Sequence, residues 1–183
     1  MYILTDVDDV LLDYAGGFTT HYSLTNAKKN VNTFEEAFGF SHDVVADMIQ
    51  RYNASEHFKN LTSVGGALDA IKKLAGDFDI IAITACGTDP SIRASRAKNL
   101  EAIFGDYISD VHYVDLFQSK SDKLKLFKDS GAYWIEDNIK NYYTGLDNGL
   151  QSLLLKTAFN APSNEKTFYN WDDICSHILK SGY

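Results

Sequence analysis

The chain has 183 residues, 45% of them apolar and 23% charged, with two prolines and a formal net charge of −8. That composition is globular rather than disordered or fibrous, and the length suits one main domain with room for a small inserted lobe. The acidic balance excludes broad electrostatic binding to a nucleic-acid polymer or an anionic membrane, so an anionic partner has to be small and met by local positive charge. In chain order, residues 2–5 read as a first strand. Residues 14–61 then hold helical candidates at 17–27, 33–38 and 41–52 and no convincing strand. Val64, Ala67, Leu68, Ile71 and Leu74 form one apolar face at helical spacing. Strands at 79–84, 111–114, 132–135 and 152–155 follow, with helical patterns at 92–104 and at 122–127, the latter extending toward Asp129. Turn residues Asn160, Pro162, Ser163 and Asn164 precede a last helix at 171–179.

This alternation predicts an α/β fold: a Rossmann-like, mostly parallel sheet with helices on both faces and ligands at the carboxyl ends of its strands. The expected division is a core of residues 1–13 and 62–183 and a helical cap of residues 14–61, inserted after strand one and set over the site. The acidic run from Asp6 leaves no room for a leader, and no apolar stretch reaches membrane-spanning length. Cys86 and Cys175 lack metal-ligand spacing and read as reduced thiols. Together these features predict a cytoplasmic protein.

At the end of the first strand stand Asp6, Asp8, Asp9 and Asp13, four carboxylates within eight residues. Like charges this close raise one another's pKa unless a cation or hydrogen-bond donors hold them. Mg²⁺ suits such oxygen ligands and keeps positions open for water and phosphate. The second strand ends in Thr84 and Ala85, a hydroxyl and a backbone N–H suited to phosphate oxygens. Strand four ends in Glu136 and Asp137, a second acidic pair on the same sheet edge, and Lys120 and Lys123 precede it as rival counter-charges. Arg93 and Arg96 are placed to approach a second anionic group of a substrate but read first as a solvated helix face, and the five histidines show no metal-ligand spacing.

The order Asp-x-Asp, Thr, Lys, acidic-Asp resembles the four motifs of the haloacid dehalogenase superfamily, over about two thirds of the chain. The resemblance implies a Mg²⁺-dependent phosphomonoester hydrolase. Asp6 is then the nucleophile and Asp8 the acid and base. Thr84, Ala85 and Lys120 bind phosphate, and Asp6, Asp8 (through its carbonyl) and Asp137 hold the metal. The opening DVDDVLLDYAGGF, from Asp6 to Phe18, is similar to the 5'(3')-deoxyribonucleotidases. That likeness implies a 5'-nucleotide substrate, with Tyr14 stacked on the base and Phe18 beside it. Asp9 departs from that family's glycine, and Ala85 from its usual hydroxyl residue.

Three other readings stand beside this one. A phosphatase for a small sugar or polyol phosphate would leave the aromatic residues of the cap merely packed. A phosphate-sensing receiver module would phosphorylate Asp115 after strand three, although no helical lobe interrupts receivers after strand one. A catalytically silent binding module would not need all four motifs.

Overall fold

The computed structural model describes residues 1–160 and 163–181; Pro162, one of the expected turn residues, lies outside them. Its strands are β1 (Tyr2–Thr5), β2 (Asp79–Ala85), β3 (Asp110–Val114), β4 (Tyr133–Glu136), β5 (Gln151–Leu155) and β6 (Thr167–Phe168). They form one parallel sheet in the order β3-β2-β1-β4-β5-β6. Helices on both faces explain the near-continuous apolar runs: Ile3 faces one core with Ile80, Ala82 and Ile135, while Leu4 faces the other with Ile81, Ile83 and Trp134. Because the chain leaves β1 toward β2 and β3, then returns past it to β4, the switch in winding direction falls between β1 and β4. A crevice opens at the carboxyl ends of strands at such a point.

Between β1 and the next core helix, α5 (Ala67–Leu74), the chain forms α1 (Tyr14–His21), α2 (Phe34–Phe38), α3 (His42–Asn53) and α4 (Glu56–Lys59). The two ends of this helical segment are zipped together: Asp13 N donates to Thr62 O at 2.9 Å and Val64 N to Leu11 O at 2.8 Å. The remaining helices are α6 (Pro90–Phe104), α7 (Ser121–Leu124), α8 (Ile139–Asp147) and α9 (Trp171–Ser181). Among the described residues no helix is long and apolar enough to cross a membrane.

Two expected helices have different bounds. The one placed at 17–27 begins at Tyr14, where Asp13 caps it by accepting from Gly16 N at 2.9 Å, and it ends before Ser23, whose φ of +54° is incompatible with a right-handed helix. The one placed at 122–127 divides into α7 and a 3₁₀ turn over Lys125–Phe127, and Asp129 then turns the chain at φ +54°. The short elements α4 and β6, and α8, are absent from the sequence reading.

Candidate active site

Asp6 follows directly on β1, and its backbone N–H donates to Ile135 O at 2.9 Å, which ties it to the neighbouring strand β4 at the crevice. Both carboxylate oxygens are held: Oδ1 accepts from Val7 N at 2.6 Å, and Oδ2 lies 2.6 Å from Lys120 Nζ. Lys120 is 3% exposed, reaches Glu136 Oε2 at 3.0 Å, and lies over the Trp134 ring, 5.4 Å from its centroid. Of the two rival lysines, it is Lys120 that arrives at Asp6. Burial alone pulls its pKa down, but the Asp6 and Glu136 carboxylates outweigh that and hold the ammonium above the ordinary lysine range.

Ligand oxygens of Asp6, Glu136 and Asp137 lie within 4.8 Å of one another. Burial, then the nearby Asp6, pushes the Glu136 carboxyl well above its usual range, and burial with Asp9 and Asp6 lifts Asp137 to about 8. One ammonium therefore faces three crowded carboxyls. Glu136 is engaged at both oxygens, by Lys120 and by Asn138 N, each at 3.0 Å, as Asp6 is by Val7 N and Lys120. Among the described residues Asp137 accepts only at Oδ2, from Thr157 Oγ1 at 3.4 Å, and it is the freest of the three toward a cation. This all-oxygen donor set fits a hard divalent ion such as Mg²⁺.

Asp8, two residues on, is half-buried and bound to Arg96 Nη2 through Oδ1. Burial raises its pKa to about 6, with Arg96 pulling the other way. Asp9 has φ +60°, in the left-handed region where glycine is free and a short, locally bonded aspartate is tolerated. Its Oδ1 accepts from Ala15 N at 2.7 Å, so it joins Asp13 in satisfying the first turn of α1, and burial lifts its carboxyl to about 8.

Asp6, Asp8, Asp9, Ala85, Lys120 and Asp137 all line one cavity of about 300 Å³, together with Phe117, Gln118 and Asn141. Thr84, beside it on β2, is fully buried and its Oγ1 has no hydrogen-bond partner among the described residues. A larger cavity, about 530 Å³, meets this one only at Asp9 and holds none of the other charged groups around Asp6.

Tyr14 and Phe18 do not line the cavity. They are 7% and 0% exposed, inside an aromatic cluster with Phe34, Tyr52 and Phe58, and the Tyr14 hydroxyl donates to Asn53 Oδ1 at 2.8 Å. Their stacking faces are covered by other rings. The aromatic ring at the cavity is Phe117, 62% exposed and held at φ +65°. Arg96 also departs from expectation: it is wholly buried on Asp8 rather than solvated. Its helix interior position carries no sequence signal for a partner 88 residues away.

No family model matches the chain. It is 25% identical over 189 aligned positions to an uncharacterized 32.4 kDa protein from the Gp30-rIII intergenic region of Enterobacteria phage T4, covering 94% of this chain and 67% of that protein. Among solved structures, a haloacid dehalogenase-like family hydrolase from Streptococcus pneumoniae superposes with a TM-score of 0.68 at 15% identity, over 97% of each chain. A magnesium-bound haloacid dehalogenase-type hydrolase from Bacillus subtilis gives a TM-score of 0.63 at 14% identity, again over 97% of each chain. With its all-parallel sheet and its acidic crevice between β1 and β4, the chain has the Rossmann-like fold of the haloacid dehalogenase-like hydrolases.

Proposed function

We propose that the protein is a Mg²⁺-dependent phosphomonoester hydrolase that works through an aspartyl-phosphate on Asp6. The observation that carries this reading is the state of Asp6 itself: a buried carboxylate at the strand switch, fixed at both oxygens by Val7 N and Lys120 and facing Asp137 across a small cavity. Mg²⁺, held by Asp6, Asp137 and the Asp8 carbonyl, would neutralise charge on the transferring phosphoryl oxygens. Lys120 orients Asp6 and adds a second positive charge. The unpartnered Thr84 hydroxyl and the Ala85 backbone N–H are the groups we assign to phosphate oxygens.

In the first step an Asp6 oxygen bonds to phosphorus, the bond from phosphorus to the leaving oxygen breaks, and Asp8 gives that oxygen a proton. In the second, Asp8 takes a proton from water, whose oxygen attacks phosphorus and frees inorganic phosphate and the Asp6 carboxylate. We read residues 14–61 as a cap that keeps bulk water from this intermediate.

For the substrate we favour a 5'-nucleotide, such as a deoxyribonucleoside monophosphate, over a sugar or polyol phosphate. The support for it is the exposed ring of Phe117 at the cavity, which takes over the stacking expected of Tyr14; stacking of this kind is worth about 1–3 kcal/mol per base. Turnover of a panel of phosphomonoesters with Mg²⁺ tests both levels. Asp6→Asn is expected to lower kcat by about 10⁴-fold or more, and near-native turnover in that variant overturns the nucleophile. Equal kcat/KM for nucleotides and polyol phosphates, unmoved by Phe117→Ala, overturns the nucleotide preference alone.

A further inference from the structure

The least expected group at the site is Arg96. It is the third-largest of the fully buried side chains, and it leaves α6 to reach Asp8 Oδ1. The guanidinium carbon stands 4.2 Å from the centre of the Phe58 ring in α4. One helical turn further on, Asn99 fixes the same face of α6 to the end of the helical segment, accepting from Leu61 N and donating to Leu61 O, both at 3.0 Å. The guanidinium is therefore held between the Phe58 ring and the Asp8 carboxylate. Among the described residues Asp8 is its one ion-pair partner, and its Nε and Nη1 have no hydrogen-bond partner.

A buried guanidinium with spare donors is a poor device for stability, since its desolvation offsets most of what a single ion pair returns. It is a good device for placing a proton. Arginine only donates, and all its nitrogens stay protonated. The Asp8 oxygen beside the Arg96 cation is the one better left as a bare acceptor, so a proton that Asp8 carries is favoured on Oδ2. Asp8 lines the cavity and its side chain remains 26% exposed.

We propose that Arg96 is a positioning residue that fixes the Asp8 carboxyl by Oδ1 and thereby confines its transferable proton to Oδ2, the oxygen that serves the leaving group. This rests on the hydrolase reading above and deepens it. It also gives α4 and α6 a part in the reaction, because Phe58 and Asn99 hold the arginine that holds the acid.

Two esters of similar size separate this role from a merely structural one. The p-nitrophenolate of p-nitrophenyl phosphate leaves without a proton, whereas the alkoxide of benzyl phosphate needs one. The readout is kcat/KM with Mg²⁺, which reports the first phosphoryl transfer. Arg96→Met is expected to lower it on benzyl phosphate by about 100-fold and on p-nitrophenyl phosphate by less than about tenfold, within the range of a lost general acid. Arg96→Lys, which keeps a buried cation but not the planar fork, is expected to fall between, and it serves alone if the methionine variant does not fold. In an Asp8→Asn background, Arg96→Lys should bring no further loss in the ratio of the two esters. Equal losses on both esters, or none on either, overturn the positioning role while leaving the hydrolase reading intact. A wild-type protein that turns over neither these esters nor any phosphomonoester of the panel overturns the hydrolase reading, and this inference with it.

Discussion

Two regions that meet at Asp8 bury their groups in opposite ways. In the helical segment, Tyr14, Phe18, Phe34, Tyr52 and Phe58 cover one another's faces and edges, and Tyr14 finds Asn53 for its hydroxyl. Apart from the Tyr52 hydroxyl, which has no hydrogen-bond partner among the described residues, these groups are neutral and packed on one another, and packing explains the burial. At the sheet edge, one ammonium pairs with Asp6 and Glu136 while Asp137 adds a third carboxyl beside them, and burial drives the carboxyls of Glu136 and Asp137 upward. Folding alone does not reward that arrangement. The contrast teaches where to look for chemistry: in the burial that remains electrostatically unfinished.

The comparison can be broken most directly at Lys120. Lys120→Met leaves Asp6 and Glu136 buried without their counter-charge, with an expected loss of about 3–5 kcal/mol of unfolding free energy near neutral pH and loss of turnover. Urea unfolding near neutral pH reads the first effect. An unchanged midpoint would mean that the edge is not charged as described. Phe18→Ala should act by packing instead, costing about 3–5 kcal/mol and leaving a larger mark on the melting temperature than on the KM of protein that remains folded. A raised KM at unchanged stability would return Phe18 to the substrate.

The smallest expected effect sharpens the comparison. The carboxyls of Asp9 and Asp137 are raised from the ordinary aspartate range to about 8 in the folded chain. The folded state therefore binds more protons than the unfolded one between the two values, so metal-free stability falls as pH rises through that window. Mg²⁺ binding to the ionised carboxylates opposes the fall. Melting temperatures at about pH 6 and about pH 8.5, with a chelator or with Mg²⁺, should differ more without the metal than with it. A pH dependence that ignores Mg²⁺ would sever the acidic edge from metal binding.

Much of this architecture is legible in the sequence because it is periodic or crowded. Residues 2–5 are read with the bounds that β1 has, and the other long strands differ by a residue or two at their ends. Asp6 and Asp137 stand out because unpaired carboxylates beside apolar strands are costly. What escapes reading is of two kinds. β6 has two residues and α4 has four, too few to show a period. Lys120 over Lys123, and Arg96 on Asp8, are choices of reach, set by where a loop and a helix dock rather than by local pattern. The aromatic residues of the helical segment mislead for a related reason: an exposed slot and a packed cluster have the same composition.

Asp9 carries a lesson for anyone aligning this chain with its relatives. At φ +60° the backbone sets the terms, and the carboxylate is used as a short acceptor for Ala15 N rather than as a charge. Similarity at this position therefore runs against the usual chemical ranking: asparagine and glycine are its near neighbours, while glutamate, which keeps the charge, is remote. A comparison scored on side-chain chemistry counts aspartate against glycine here as a mismatch; one scored on dihedral angles counts them as the same residue.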